Sequence, residues 1–256
     1  MSALSFDNVS TSYGVRRVLA GVTANFKSGA VTAIVGPNGA GKTTLFRAAL
    51  GVLPAQGSIR VLGNDLKAWS REGLARSIAY LPQGADAHWP ITAKRLVALG
   101  RLPHRKPFAP PTEADDIAVA DALDRCEARE FADRAINELS AGERARVLLA
   151  RALATNAPIL MADEPAAHLD PAHQLSLMRL LKDDARRGTA VLVTLHDLAL
   201  ASRYCDEVVV LEKGTVAAQG TPEQALDDET LARVFAIRAL RVREADGSAV
   251  LAWTPL

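Results

Sequence analysis

The sequence predicts an α/β fold: a core of mainly parallel strands alternating with helices, an antiparallel β subdomain before it, and an α-helical subdomain inserted into it. Three observations point there. A glycine-rich loop, Gly36–Thr44, lies between an apolar β-branched run and a helix-forming run. Strands and helices alternate from Pro158 to Leu211, the pattern of a parallel sheet with helices on its faces. Between Gly84 and about Asn156 the β-branched runs vanish and helical periodicity takes over.

In chain order, short alternating runs closed by Gly or Asn open the sequence: Leu4–Val9, a turn at Ser12-Tyr-Gly14, then Arg17–Leu19 and Val22–Phe26. They favour an antiparallel sheet leading into a buried strand at 30–35. Gly57–Gly63 reads as a further strand, Arg71–Arg76 as a short helix, and Ile78–Gln83 as a core strand ending at a proline. In the helical block, Thr92–Gly100 is a capped amphipathic stretch and Leu102–Pro111 a proline-rich loop. Thr112-x-x-Asp115 caps a helix reaching Cys126, and Gly142–Asn156 is a long helix. The core resumes with a strand at 158–163, a helix at 171–186, a strand at 189–195, a helix at 198–204 and a hairpin across Lys213-Gly214. Two short helices near 222–226 and 229–235 follow, and Ala239–Arg243 with Ala249–Trp253 reads as a hairpin around Asp246-Gly247. The expected organisation is a nucleotide-binding core of residues 1–83 and 157–236, a helical subdomain of 84–156 and a hairpin-like tail of 237–256.

A chain of 256 residues that is 49% hydrophobic can bury a full core. Thirty Lys+Arg against 29 Asp+Glu leave a formal charge of +1, so no basic field marks a nucleic-acid partner. Cys126 and Cys205 are far apart and without Cys-x-x-Cys spacing, and read as reduced packing residues. The first residues have neither a basic nor an apolar leader region, and no apolar run approaches the ~20 residues needed to span a bilayer. Any membrane association is therefore expected through a partner.

Gly36-Pro-Asn-Gly-Ala-Gly-Lys-Thr-Thr44 fits the G-x-x-x-x-G-K-[ST] spacing. Gly36, Gly39 and Gly41, with Pro37 and Asn38 between them, let successive backbone N–H groups turn inward on anionic oxygens. Lys42 adds a point charge for the β- and γ-phosphates of a nucleotide, Thr43 a hydroxyl for Mg²⁺, and the helix from Thr43 and Thr44 its positive end. Ile159–Glu164 is an apolar strand ending in adjacent carboxylates: Asp163 is placed to hold Mg²⁺ through water, and Glu164 to polarise an attacking water. Either acid alone would read as a solvated strand end; the pair beside a phosphate loop does not.

Leu139-Ser-Ala-Gly-Glu143, opening a helix, resembles the signature of ABC-type ATPases, and with the two motifs above it identifies the chain as a member of that family. The resemblance runs from Leu4 to roughly Phe235 and implies a P-loop NTPase core with ATP and Mg²⁺ as cofactors. It also implies a head-to-tail homodimer, in which Ser140 and Gly142 of one copy close on ATP held by the other. By the same resemblance Tyr13 stacks on adenine, Gln83 touches Mg²⁺ and water, Asp170 belongs to the loop crossing the dimer interface, and His196 bonds the γ-phosphate. Two departures stand out: Ala141 and Glu143 where glycine and glutamine are common, and Ala167-His168-Leu169-Asp170 for the commoner Ser-Ala-Leu-Asp. The other histidines, His88, His104, His168 and His173, lack metal-ligand spacing.

Softer stretches, Thr92–His104, Leu169–Gln174, Leu195–Asp206 and Gln219–Glu223, resemble the ATPases of importers for ferric siderophores, haem and cobalamin. That resemblance implies a motor subunit on the cytoplasmic face of the cell membrane. It would drive a separate integral membrane permease and, indirectly, serve a periplasmic or surface substrate-binding protein. An iron chelate is the first reading of the cargo, siderophore before haem; the alternatives are cobalamin, or a soluble or scaffolding ABC ATPase outside transport. The permease surface is expected near Gln83–Arg105, with Trp89, Pro90 and Leu102 lining a groove.

Overall fold

The computed structural model describes residues 2–84, 90–243 and 249–255. The elements begin with β1 (Ser2–Tyr13), β2 (Arg16–Lys27), β3 (Val31–Val35), α1 (Lys42–Ala49), β4 (Gln56–Val61) and β5 (Asn64–Asp65). Next come α2 (Arg71–Ser77), β6 (Ile78–Leu81), α3 (Ala93–Ala98), α4 (Glu113–Arg125), α5 (Ala141–Leu153), β7 (Ile159–Asp163) and α6 (Pro171–Arg186). The chain ends with β8 (Ala190–Thr194), α7 (Leu198–Tyr204), β9 (Glu207–Glu212), β10 (Thr215–Gly220), α8 (Pro222–Ala225), α9 (Asp228–Thr230), β11 (Ile237–Arg243) and β12 (Ala249–Pro255). Two units emerge: Met1–Trp69 with Lys182–Leu256, and Ser70–Leu181.

In the first unit, β2 shows the period of two that a half-buried strand requires. Leu19, Val22, Ala24 and Phe26 are buried, while Thr23, Asn25 and Lys27 face solvent. The two runs expected at 17–19 and 22–26 are thus one continuous strand. Irregularities in its pairing with β1, between Phe6 and Val9 and between Val9 and Thr11, absorb the break in alternation. Phe6 and Phe26 meet edge to face at 5.9 Å, within an antiparallel sheet of order β2-β1-β4-β5. The unit's other strands run in the order β10-β9-β3-β8. β3 and β8 are buried at all five positions, as parallel strands covered on both faces are. Because β3 pairs in parallel with both β8 and β9, its C-terminal end delivers Gly36 to the crevice where open α/β sheets bind ligands. β11 and β12 pair antiparallel from Ile237↔Pro255 to Arg243↔Ala249, and the Asp246-Gly247 turn expected between them lies outside the described residues.

In the second unit, β6 and β7 pair in parallel, with Ile78 beside Ile159. Helices α3, α4 and α5 bury Leu96 and Val97, Val119 and Leu123, and Val147 and Leu149. Thr92 caps α3, and Thr112 with Asp115 forms a capping box at α4. One expectation is corrected here: the chain after α3 continues as a 3₁₀ stretch, Leu99–His104, with Pro103 inside it, before the loop begins. Arg101 anchors that stretch. Its Nε bonds Asp115 Oδ1 at 3.0 Å, and a terminal nitrogen donates to the Ala154 carbonyl at 2.8 Å.

Cys126 and Cys205 are both buried, and burial pushes each thiol up to about 12, which fits packing residues rather than reactive ones. Among the described residues no helix is long and apolar enough to cross a membrane.

Candidate functional site

The first unit supplies the phosphate cradle. Gly36 follows the last residue of β3, and a Cβ placed on it would lie 2.3 Å from the Leu211 carbonyl oxygen. Gly41, the N-cap of α1, sits at φ +108°, in the left-handed region glycine favours. Those two constraints explain the glycines at the ends of the motif. The loop closes on itself through Ala40 N to Pro37 O at 3.1 Å, and α1 starts with Leu45 N to Gly41 O at 2.8 Å. The turn between β9 and β10 braces it, since Gly214 N donates to Ala40 O and Ala20 N to Gly214 O. Lys42 is only 6% exposed, and its Nζ donates to the Gly36 carbonyl at 2.8 Å, so the ammonium lies along the loop's concave side. Asn38 and Gly39 at the loop tip are exposed, Thr43 is half-buried and Thr44 is buried against the core. Such a loop offers N–H donors, a helix N-terminus and one cation to an anion.

Tyr13 closes β1 as a residue 41% exposed, and its hydroxyl accepts a bond from Arg47 of α1 at 3.1 Å. Sequence reasoning missed Arg47, whose i+5 place after Lys42 carries no motif. His196 is exposed just beyond β8, and Asp197 beside it caps α7 by accepting from Ala199 N and Leu200 N. Leu195 N donates to the Ile34 carbonyl, which ties the histidine's segment to the strand that carries the glycine loop.

The second unit gathers the carboxylates. Asp163 ends β7 at 1% exposure, with the Tyr80 hydroxyl 3.4 Å from its Oδ2. Glu164 turns out of the strand at φ +49°, a conformation costing on the order of 1 kcal/mol for a residue with a side chain. The turn is held by Ala167 N to Glu164 O. Gln83, two residues beyond β6, donates its amide Nε2 to the Glu164 carboxylate. A cavity of about 500 Å³ opens here, lined by Gln83, Glu164, Ala141, Arg144, His168 and Leu169.

Ser140 caps α5: its hydroxyl accepts from Glu143 N at 3.3 Å, while Glu143 Oε2 accepts from Ser140 N at 2.7 Å. Glu143 therefore does structural work where the family commonly has glutamine. Its carboxyl is held below the usual range by the Ser140 backbone N–H first, with Arg134 adding to the effect at 3.0 Å. The Ser-x-x-Glu spacing was the available signal for it. Asp170 stands at the head of α6, where Oδ1 accepts from His173 N at 2.9 Å and Oδ2 meets His173 Nδ1 at 2.7 Å. The His173 backbone N–H, then its ring, hold the Asp170 carboxyl below its ordinary value. His173 was passed over in the sequence because it has no metal-ligand partner there.

The first unit thus carries Tyr13, Gly36, Asn38, Gly39, Gly41, Lys42, Thr43, Thr44 and His196. The second carries Gln83, Ser140, Gly142, Asp163, Glu164 and Asp170. Of the surface expected for a partner, Pro90 and Leu102 are exposed, and Trp89 lies outside the described residues, as does His88.

Comparison with known proteins follows the same lines. The family model described as "ABC transporter" matches residues 19–167. The hemin import ATP-binding protein HmuV of Rhodococcus jostii (strain RHA1) is 42% identical over 233 residues, covering 91% of this chain and 79% of that protein. The HmuV protein of Streptomyces coelicolor is 45% identical over 223 residues, covering 87% and 79%. The cobalamin import ATP-binding protein BtuD of Halobacterium salinarum is 42% identical over 224 residues, covering 87% of this chain and 56% of its own length. Among solved structures, an inward-facing transporter described as metal-chelate type superposes with a TM-score of 0.87 at 27% identity, covering 100% of this chain and 98% of that one. A dimeric ATP-binding cassette in a post-hydrolysis state with ADP and phosphate gives 0.73 at 27% identity, covering 86% and 98%.

Proposed function

We infer that this chain, which belongs to the ABC transporter family, is the ATP-hydrolysing motor subunit of an importer for an iron chelate, with haem as the first cargo to test. The observation that carries the reading is the pair of hemin import relatives at 42% and 45% identity across 91% and 87% of the chain. The likeness to a metal-chelate type transporter over the whole chain supports it.

In this reading ATP lies on the Gly36–Thr44 loop, with Lys42 on its β/γ-phosphates and Tyr13 against adenine. Glu164 polarises the attacking water, and His196 donates to the γ-phosphate. The donor set fits Mg²⁺, a hard cation that takes oxygen ligands: the Thr43 hydroxyl, the Gln83 amide oxygen and the Asp163 carboxylate would hold it. When bound, it would neutralise charge on the phosphate oxygens. Two copies close head to tail, each presenting Ser140, Gly142 and Asp170 to the ATP of the other, and reopen after hydrolysis. The dimeric cassette with ADP and phosphate supports that cycle. Closure pulls a separate permease through the segment between Gln83 and Arg105, which places the chain on the cytoplasmic face of the cell membrane. A substrate-binding protein is served through the permease, and a formal charge of +1 gives no reason to add nucleic acid.

The test is uptake of labelled haemin, ferric siderophore and cobalamin by source cells carrying the parent chain or Glu164→Gln. Loss of haemin uptake alone is the expected result. Equal entry of all three with the variant would overturn the importer reading. The match to BtuD favours cobalamin as the second reading, and selective loss of cobalamin uptake would establish it.

A further inference from the structure

Building on the roles assigned above to Gly142 and Asp170, we propose that His173 is a positioning residue that locks the signature glycine to the interface-loop aspartate. The two surfaces that this protomer offers its partner copy then keep one geometry. Asp170 and Gly142 are 28 positions apart in sequence, yet one imidazole ring touches both. On one edge, Nδ1 lies 2.7 Å from Asp170 Oδ2, and the His173 backbone N–H donates to the other carboxylate oxygen at 2.9 Å. The face of the ring, over Cδ2, occupies the space a side chain at 142 would need. A Cβ built there falls 2.0 Å from His173 Cδ2, 2.3 Å from Nε2 and 2.6 Å from Cγ.

The ring is not held by burial, since its side chain is 39% exposed. It is held between a carboxylate and a backbone. The carboxylate is kept charged by the bonds it accepts, so Nδ1 carries the proton toward Asp170, and the ring plane lies across Gly142 with Cδ2 nearest. That division of roles leaves the ring one orientation. Turning it away from Gly142 breaks the bond to Asp170, and shifting Asp170 moves the ring along the first turn of α5. Because α5 is 13 residues long and its N-cap Ser140 is fixed by Glu143, the turn moves as a unit. A glycine at 142 therefore has two duties: close approach to phosphate in the partner's site, and room for this ring.

The test is a double-mutant cycle on the full chain, reading ATP turnover and urea unfolding of the parent, Gly142→Ala, His173→Ala, His173→Asn and Gly142→Ala/His173→Ala. The proposal expects Gly142→Ala to lower turnover at least about tenfold in the parent and several-fold less in the His173→Ala background, where the ring is gone. His173→Asn keeps a donor for Asp170 but no ring face over Gly142. It is expected to retain the parent's unfolding midpoint while losing turnover, a separation that a purely structural histidine would not give. Equal costs of Gly142→Ala in both backgrounds, with the parent turning over ATP normally, would overturn this inference alone. A parent that hydrolyses no ATP would overturn the functional reading beneath it, and this inference with it.

Discussion

Replacing Asp115 by alanine should destabilise the Ser70–Leu181 unit far more than a surface acid would. The carboxylate accepts from Arg101 Nε at 3.0 Å, Thr112 N at 3.0 Å and Thr112 Oγ1 at 2.9 Å. Both members of the ion pair are about nine-tenths buried, at 10% and 7% side-chain exposure. Removing one partner of such a pair strands a buried charge, at a cost of about 3–5 kcal/mol, and losing the capping box adds about 1 kcal/mol. Arg101→Met in the same chain removes the stranded cation, so the double variant should recover all but about 1–2 kcal/mol. The pH dependence follows from the same geometry. Bonds from the Thr112 backbone and Arg101 hold the Asp115 carboxyl at about 2, below the ordinary aspartate value of about 3.9. A depressed carboxyl stabilises the fold above the unfolded value and loses that contribution as pH falls from about 4 through about 2, roughly 2 kcal/mol in all. Urea unfolding of the full chain between pH 2 and 7, parent against Asp115→Ala, measures both effects. The two stability curves should draw together by about 2 kcal/mol toward the acid end. A cost below about 1 kcal/mol at pH 7, or curves that stay parallel down to pH 2, would refute the reasoning.

Three further outcomes follow from the site and the core. Tyr13→Ala should weaken ATP binding about tenfold or more, the scale of base–aromatic stacking, while Tyr13→Phe keeps most of it; unchanged affinity in a fluorescence titration would remove Tyr13 from the base site. Gly36→Ala forces a Cβ to 2.3 Å from the Leu211 carbonyl, so the loop and β9 must part, and ATP should no longer raise the unfolding temperature. Cys126 and Cys205, with thiols pushed up to about 12, should resist alkylation at pH 8 in the native chain and react only on unfolding. Rapid labelling of either cysteine without loss of structure would contradict their burial.

The phosphate loop was legible from sequence because its physics is local: glycines, a lysine and a hydroxyl at fixed spacing between a buried strand and a helix need no distant partner to be recognised. The capping box at Thr112 was legible for the same reason, being complete within four residues, whereas the one at Ser140, with the same spacing, was read only as part of the signature. What the sequence hid was long-range. Arg101 reads as one more surface arginine in a basic, proline-containing stretch until Asp115 and the Ala154 carbonyl are found around it, and those contacts carry the 3₁₀ stretch through Pro103 where a loop was expected. Likewise β2 looked like two strands because Gly21 interrupts its alternation, and only pairing with β1 across several register shifts makes it one.

His173 and Arg47 belong to a third kind, residues adjacent to a motif whose meaning depends on what faces them. Asp170-x-x-His173 has the spacing of an ordinary helix cap, and nothing in it announces that the ring's face will exclude every side chain but hydrogen at 142. A glycine in a signature is read from sequence as a requirement of the ligand. Here the same glycine is also a requirement of the protein, and substituting the histidine rather than the glycine is what tells the two apart.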